Sequence, residues 1–233
     1  MIGRVHSFQS LGAVDGPGIR CVVFMQGCPL RCVCCHNPDT WDFAGGVETD
    51  SQEMAAKILR FRHYFGKTGG VTVSGGEPLL QAPFVETLFR ELKKSGIHTA
   101  LDTSGCIWNE ETASLLDVTD LVLLDHKYAS EEAYRKHTMG SMKQTEYFLK
   151  ELDKRSIDTW LRRVIIPGMT DDRDSMMQLK QVADQYSCVK KVELLPFRKI
   201  CEIKYEQMGI PFPLSDVPEM QEDGLKPLYE MLK

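Results

Sequence analysis

The sequence predicts an α/β chain in which parallel strands form a partial (β/α)6 barrel. Three observations predict it. Short apolar, β-branched runs recur along all 233 residues. Stretches of helical period separate them. Several runs end in polar residues or glycine, as strands do where a parallel sheet carries its site. About six strand–helix units fit, too few for a complete eight-fold barrel of ~250 residues.

In chain order, strands are predicted at residues 21–26, 71–74, 98–102, 121–125, 159–166 and 189–195. These runs are rich in Val, Ile, Leu and Thr and read as continuous apolar runs, the mark of parallel strands buried on both faces. Helices are predicted at 51–65, 82–95, 109–117, 131–154 (broken near Gly140) and 172–186. A last helix is expected over about 217–233. In the second of these, Phe84, Val85, Leu88, Phe89 and Leu92 make one apolar stripe, with Arg90, Glu91, Lys93 and Lys94 outside it and Gly96 as the stop. Alternation of this kind implies βαβ units. There is no internal repeat or interdomain linker, so residues 1–233 read as one domain.

Composition narrows the function. With 42% hydrophobic and 26% charged residues the chain is an ordinary globular one. A net charge of -5 argues against a nucleic-acid footprint. No apolar run is long enough to span a bilayer, and residues 1–6 lack a signal-peptide core. A cytoplasmic monomer is expected. Of eight cysteines, Cys28, Cys32, Cys34 and Cys35 are bunched, while Cys21, Cys106, Cys188 and Cys201 are scattered. In such a chain the bunch reads as metal-binding or catalytic, not as a disulfide scaffold.

Cys28, Cys32 and Cys35 have the spacing C-x3-C-x2-C. Three thiolates from one loop can hold a [4Fe–4S] cluster and leave one iron open, since such clusters take one ligand per iron. The alternative is a zinc knuckle, which usually has four Cys or His ligands; His36 next to Cys35 is an awkward fourth. Cys34 is either an extra ligand or a packed thiol. Gly75-Gly76-Glu77-Pro78 follows a strand. The glycines permit close approach to a ligand, and Glu77 either binds an ammonium group or sits at a helix N-terminus. His6, His63, His98 and His137 lie outside any motif, and Trp160, Met176 and Met177 read as packing.

Taken together, the cysteine triplet and the Gly-Gly-Glu-Pro turn resemble the radical S-adenosylmethionine (SAM) superfamily. Asp15-Gly16-Pro17-Gly18-Ile19-Arg20, Cys35-His36-Asn37-Pro38-Asp39-Thr40-Trp41, Asp102-Thr103-Ser104-Gly105 and Leu124-Asp125-His126-Lys127 resemble, within it, the activases of glycyl radical enzymes. The likeness spans about residues 3–197. No cysteine lies between His36 and Ser74, so the ferredoxin-like insert of many such activases is missing.

The resemblance implies that Cys28, Cys32 and Cys35 hold a [4Fe–4S] cluster and that SAM chelates its open iron. One electron then cleaves SAM to methionine and a 5′-deoxyadenosyl radical, which takes a hydrogen atom from a glycine of the partner. Cys34, Cys35, His36, Gly76, Glu77, Asp125, His126, Lys127 and Arg198 are the implied SAM-binding residues. A sodium or potassium ion is implied at Asp102, Thr103, Leu123 and Asp125, a donor set of hard oxygens. The alternative for Asp102 and Asp125 is helix capping at strand ends. Asp15 and Arg162 are implied to meet the partner's glycine loop; for Asp15 the alternative is a plain turn. Arg162 matches the family arginine, whereas Arg163 replaces an aromatic. Neighbours on a strand face opposite ways, so only one of the two should point inward.

The implied partner is pyruvate formate-lyase or a related glycyl radical enzyme, with flavodoxin or ferredoxin as electron donor. Phe197-Arg198 departs from the Tyr-His of close relatives, Cys34 stands where an aromatic is common, and the tail from Cys201 matches poorly. Two other readings compete: an activase of a different glycyl radical enzyme, and a non-catalytic iron–sulfur or zinc regulator.

Overall fold

A computed structural model describes all 233 residues. The chain forms a mostly parallel eight-stranded sheet with strand order β3-β1-β2-β4-β5-β6-β7-β8. Two compact units are present: Met1–Pro29 with Thr40–Leu123, and Leu30–Asp39 with Leu124–Lys233. No helix is long and apolar enough to cross a membrane.

The first unit holds β1 (Ile2–Gly12), β2 (Arg20–Met25), β3 (Val47–Asp50), β4 (Gly70–Gly75) and β5 (His98–Thr103). Parallel pairing aligns Cys21 with Val71 and Val71 with Thr99. Cys21, Val22, Val23, Val71 and Val73 are wholly buried, which is why these runs read as apolar throughout. β1 and β3 were not foreseen. They pair antiparallel, Val5 opposite Met25 and Ile2 opposite Asp50. β1 mixes buried Val5 with exposed Ser7, and β3 is four residues long, so neither makes an apolar run.

Helices α1 (Ser51–Leu59), α2 (Ala82–Lys93) and α3 (Glu110–Leu116) belong to this unit. Asp50 and Asn109 cap α1 and α3 by accepting from Gln52 and Thr112 N–H groups. The predicted stripe on α2 is the buried one. α1 ends at Leu59 instead of continuing to 65, and a short 3-10 turn follows over Arg62–Tyr64.

The second unit carries β7 (Asp158–Ile165) parallel to β8 (Val189–Pro196), with β6 (Leu121–Asp125) divided between the units. The 131–154 segment breaks where expected, into α4 (Glu131–Thr138) and α5 (Met142–Lys154). Met139 takes the left-handed conformation and Ser141 caps α5. α6 (Arg173–Gln185) follows. The tail differs from expectation in two places. α7 (Glu202–Gln207) was not foreseen, and the last helix, α8, spans Glu222–Met231, not 217–233. Val217 precedes Pro218, and a residue before proline avoids helical dihedrals.

Candidate active site

In the first unit, the Gly75-Gly76-Glu77 turn closes the end of β4. Gly75 has φ +108°, which favours glycine. A Cβ on Gly76 would collide with the Gly27 carbonyl. That carbonyl accepts from the Glu77 N–H at 2.8 Å, while Gly76 N–H donates to Met25 O at 2.9 Å. The turn is therefore laced to the backbone just before Cys28.

The Glu77 side chain is 1% exposed and faces inward. It accepts from Thr103 Oγ1 (2.5 Å), Ser104 Oγ (2.5 Å), Ser104 N (3.1 Å) and Leu79 N (3.2 Å). In this geometry the carboxylate staples β4 to the end of β5 and caps the short turn at Pro78. Beside it, Asp102 Oδ2 accepts from Ser74 Oγ at 2.7 Å. Leu123 is fully buried in β6. Asp15 gives its carbonyl to Thr72 Oγ1 at 2.6 Å, and the same hydroxyl accepts from buried Arg20 Nε at 2.7 Å. Arg20 also reaches the Pro17 carbonyl at 3.1 Å, which fixes the loop that presents Asp15.

In the second unit, the cysteine loop is held largely by its backbone. Arg31 N–H donates to Thr138 O (2.8 Å), Val33 N–H to His137 O (2.9 Å), and Cys35 N–H closes a turn on Cys32 O (3.0 Å). Tyr205 Oη donates to Cys35 O at 3.3 Å. Lys204 Nζ donates to Asn37 Oδ1 (2.9 Å) and Asp39 Oδ1 (3.0 Å). Both residues lie on α7, in the tail that carried no motif. His36 Nε2 donates to the Arg198 carbonyl at 3.1 Å, and burial lowers the imidazole's proton affinity. The Arg198 guanidinium is turned to Glu222 at 3.1 Å.

The loop suits an iron–sulfur cluster. Burial and the neighbouring Cys32 push the Cys34 and Cys35 thiols up to about 12, so these sulfurs sense one another, and metal binding must displace the protons. No three Cys, His, Asp or Glu side chains are gathered to hold a single metal ion. Thiols are a donor set that an iron–sulfur cluster takes, one thiolate per iron.

The end of β6 and the two residues beyond it send their side chains to different places. Asp125 and Lys127 pair at 2.6 Å. Burial works to raise the Asp125 pKa, but Lys127 and Arg162 outweigh it and hold the carboxyl below its usual range. Burial likewise opposes a charge on Lys127, and Asp125 raises its pKa regardless. Cys34, Asp125, Lys127, Tyr128 and Arg162 line one narrow recess with Val164 and Ile166, of about 10 Å³, room for one water. Arg162 reaches Glu193 at 3.3 Å. His126 is wholly buried and points the other way, to Arg163. Its side chain therefore does not line this recess, while its backbone joins two residues that do.

Residues 14–146 match the family model described as a 4Fe-4S single cluster domain. Over 234 aligned residues the chain is 43% identical to the pyruvate formate-lyase-activating enzyme of Clostridium pasteurianum, covering 100% of this chain and 98% of that one. The chain belongs to the pyruvate formate-lyase-activating enzyme family. Two solved structures share its fold. One is a domain of pyruvate-formate lyase-activating enzyme from Bacteroides vulgatus, 19% identical with TM-score 0.58, covering 70% of this chain and 92% of that one. The other is a radical SAM methyltransferase from Sphaerobacter thermophilus, 13% identical with TM-score 0.58, covering 91% and 63%. They carry the fold class expected from the sequence, the radical SAM partial barrel.

For a member of the activating-enzyme family, the residues that sequence reasoning missed are Tyr134, Lys204 and Tyr205. Tyr134 Oη donates to Asp125 O at 3.2 Å and accepts from Lys127 N at 3.3 Å, holding the turn between them. None sits in a motif, and their sequence neighbours are mostly polar, so the sequence held no signal for them.

Proposed function

We propose that this chain activates pyruvate formate-lyase anaerobically, by reductive cleavage of SAM and abstraction of hydrogen from one glycine of that enzyme. The observation that carries the reading is the full-length, 43% identity to a relative named for that activation. The cluster and SAM, when bound, supply the electron and the hydrogen-atom acceptor.

The chain's own residues bind and orient. Cys28, Cys32 and Cys35 would hold the cluster. Asp125 and Lys127 offer paired charges of both signs to the amino and carboxylate groups of SAM. The Gly76 backbone, free of a side chain, lets SAM lie close. Asp15 and Arg162 would meet the partner's glycine loop, Asp15 from a loop stiffened by Arg20. A cytoplasmic location and a flavodoxin or ferredoxin donor belong to the same reading, since the chemistry needs a low-potential reductant.

The test is anaerobic. The reconstituted, reduced chain is given SAM and a peptide spanning a pyruvate formate-lyase glycine loop, deuterated at the glycine α-carbon. Deuterium in 5′-deoxyadenosine is expected. SAM cleavage without transfer would redirect the search to another glycyl radical enzyme. Absence of cleavage from a verified, reduced cluster would sink the reading.

A further inference from the structure

Arg163 is a buried cation, 1% exposed, on the face of β7 opposite Arg162. Its guanidinium is spread over five acceptors. Nε donates to the His126 carbonyl at 2.8 Å, Nη2 to His126 Nδ1 at 2.7 Å and Gln178 Oε1 at 3.0 Å, and Nη1 to the Ser175 carbonyl at 2.7 Å and hydroxyl at 3.1 Å. A guanidinium has donors only, so Nδ1 must accept and the ring proton must sit on Nε2. That Nε2 is buried and 3.7 Å from Glu146 Oε1, within ion-pair range but beyond a hydrogen bond.

His126 is the hinge between Asp125 and Lys127. Its N–H donates to the Arg162 carbonyl at 2.8 Å, and its carbonyl is taken by Arg163. On either side, Tyr134 Oη takes the Lys127 N–H and reaches the Asp125 carbonyl. Every one of these backbone groups is therefore fixed, and one side chain, Arg163, grips both the carbonyl and the ring of the middle residue. The planar fork makes that grip directional in a way a point charge cannot reproduce.

We propose that Arg163 is a positioning residue: by clamping the carbonyl and imidazole of His126, it sets the direction in which Asp125 and Lys127 project toward SAM. The inference rests on the reading above that Asp125 and Lys127 bind SAM. It makes His126 a structural pivot and not a SAM ligand through its ring.

The test compares wild type with Arg163→Met and Arg163→Lys. The His126 tautomer is read from proton–nitrogen correlation spectra of the cluster-free chain. SAM affinity by equilibrium dialysis, KM, kcat and iron content are read on the reconstituted chain. The wild type is expected to show the Nε2–H tautomer. Arg163→Met is expected to lose it and to weaken SAM binding on the order of 10- to 100-fold at unchanged iron content, with KM rising more than kcat falls. Arg163→Lys keeps the charge without the fork and gives a smaller rise; it decides on the same readouts if Arg163→Met does not fold. An Nδ1–H tautomer in wild type overturns the clamp. Unchanged SAM affinity in a variant that has lost the tautomer overturns the positioning and leaves the functional reading standing. A reconstituted wild type that binds no SAM overturns that reading, and the positioning with it.

Discussion

Ser104 grips Glu77 twice, through its hydroxyl at 2.5 Å and its backbone N–H at 3.1 Å, both to the same carboxylate oxygen. The other oxygen accepts from Thr103 at 2.5 Å. Glu77→Ala strands these buried donors and should cost about 3 kcal/mol of stability. Urea unfolding of the cluster-free chain measures it; a loss below about 1 kcal/mol would mean the staple is dispensable.

Cys32→Ala should abolish cluster binding and SAM cleavage while the fold persists. The loop is tied down by backbone bonds at Arg31, Val33 and Cys35, and the unit has its own core around Phe148, Leu149, Leu152 and Leu161. Iron and sulfide per chain, read beside circular dichroism, check both halves. Full unfolding of the variant would contradict a catalytic and non-structural cluster.

Lys204→Ala removes two bonds from the segment just after Cys35. Both partners of the ion pair with Asp39 are near a third exposed, so stability should change by about 1 kcal/mol or less. Cluster retention should suffer more, because the clamp restrains the loop that carries Cys35. Iron retained after prolonged anaerobic dialysis is the readout, and equal retention in the variant and wild type would refute the clamp.

Asp153 joins α5 to the start of β8, accepting from Cys188 N at 2.9 Å and Ser187 Oγ at 3.0 Å. Chiefly the Cys188 N–H holds its pKa below the usual 3.8. A depressed carboxyl stabilises the fold above its unfolded pKa, and that share is lost as pH falls through the lower folded value. Asp153→Asn should therefore flatten the acid limb of the stability curve below about pH 4 and leave its slope at neutral pH unchanged. Unfolding midpoints across that range decide it.

Gly76 was expected to let the backbone approach a ligand; what approaches it in the structure is the Gly27 carbonyl, which a Cβ would strike. Strands such as β2 and β6 were legible because burial on both faces favours apolar residues, whereas β8, with exposed Lys190 and Lys191, was legible by its Val and Leu alone. β1 was not, since its burial varies along the strand and its pairing is antiparallel. α7 was not, because a helix of six residues has no stripe to read.

The sequence by itself determined the candidate ligands and their order: three cysteines on one loop, a glycine turn closing β4, charged residues at and just past the end of β6. Spacing does this because ligands on one short loop need no distant partner to converge. Only the tertiary structure decided where neighbouring side chains point. It turned Glu77 to Thr103 and Ser104, set Arg162 beside Asp125 and Lys127, and gave His126 to Arg163. Alternation along a strand says that neighbours diverge, but which of them meets a donor depends on residues far away in the chain.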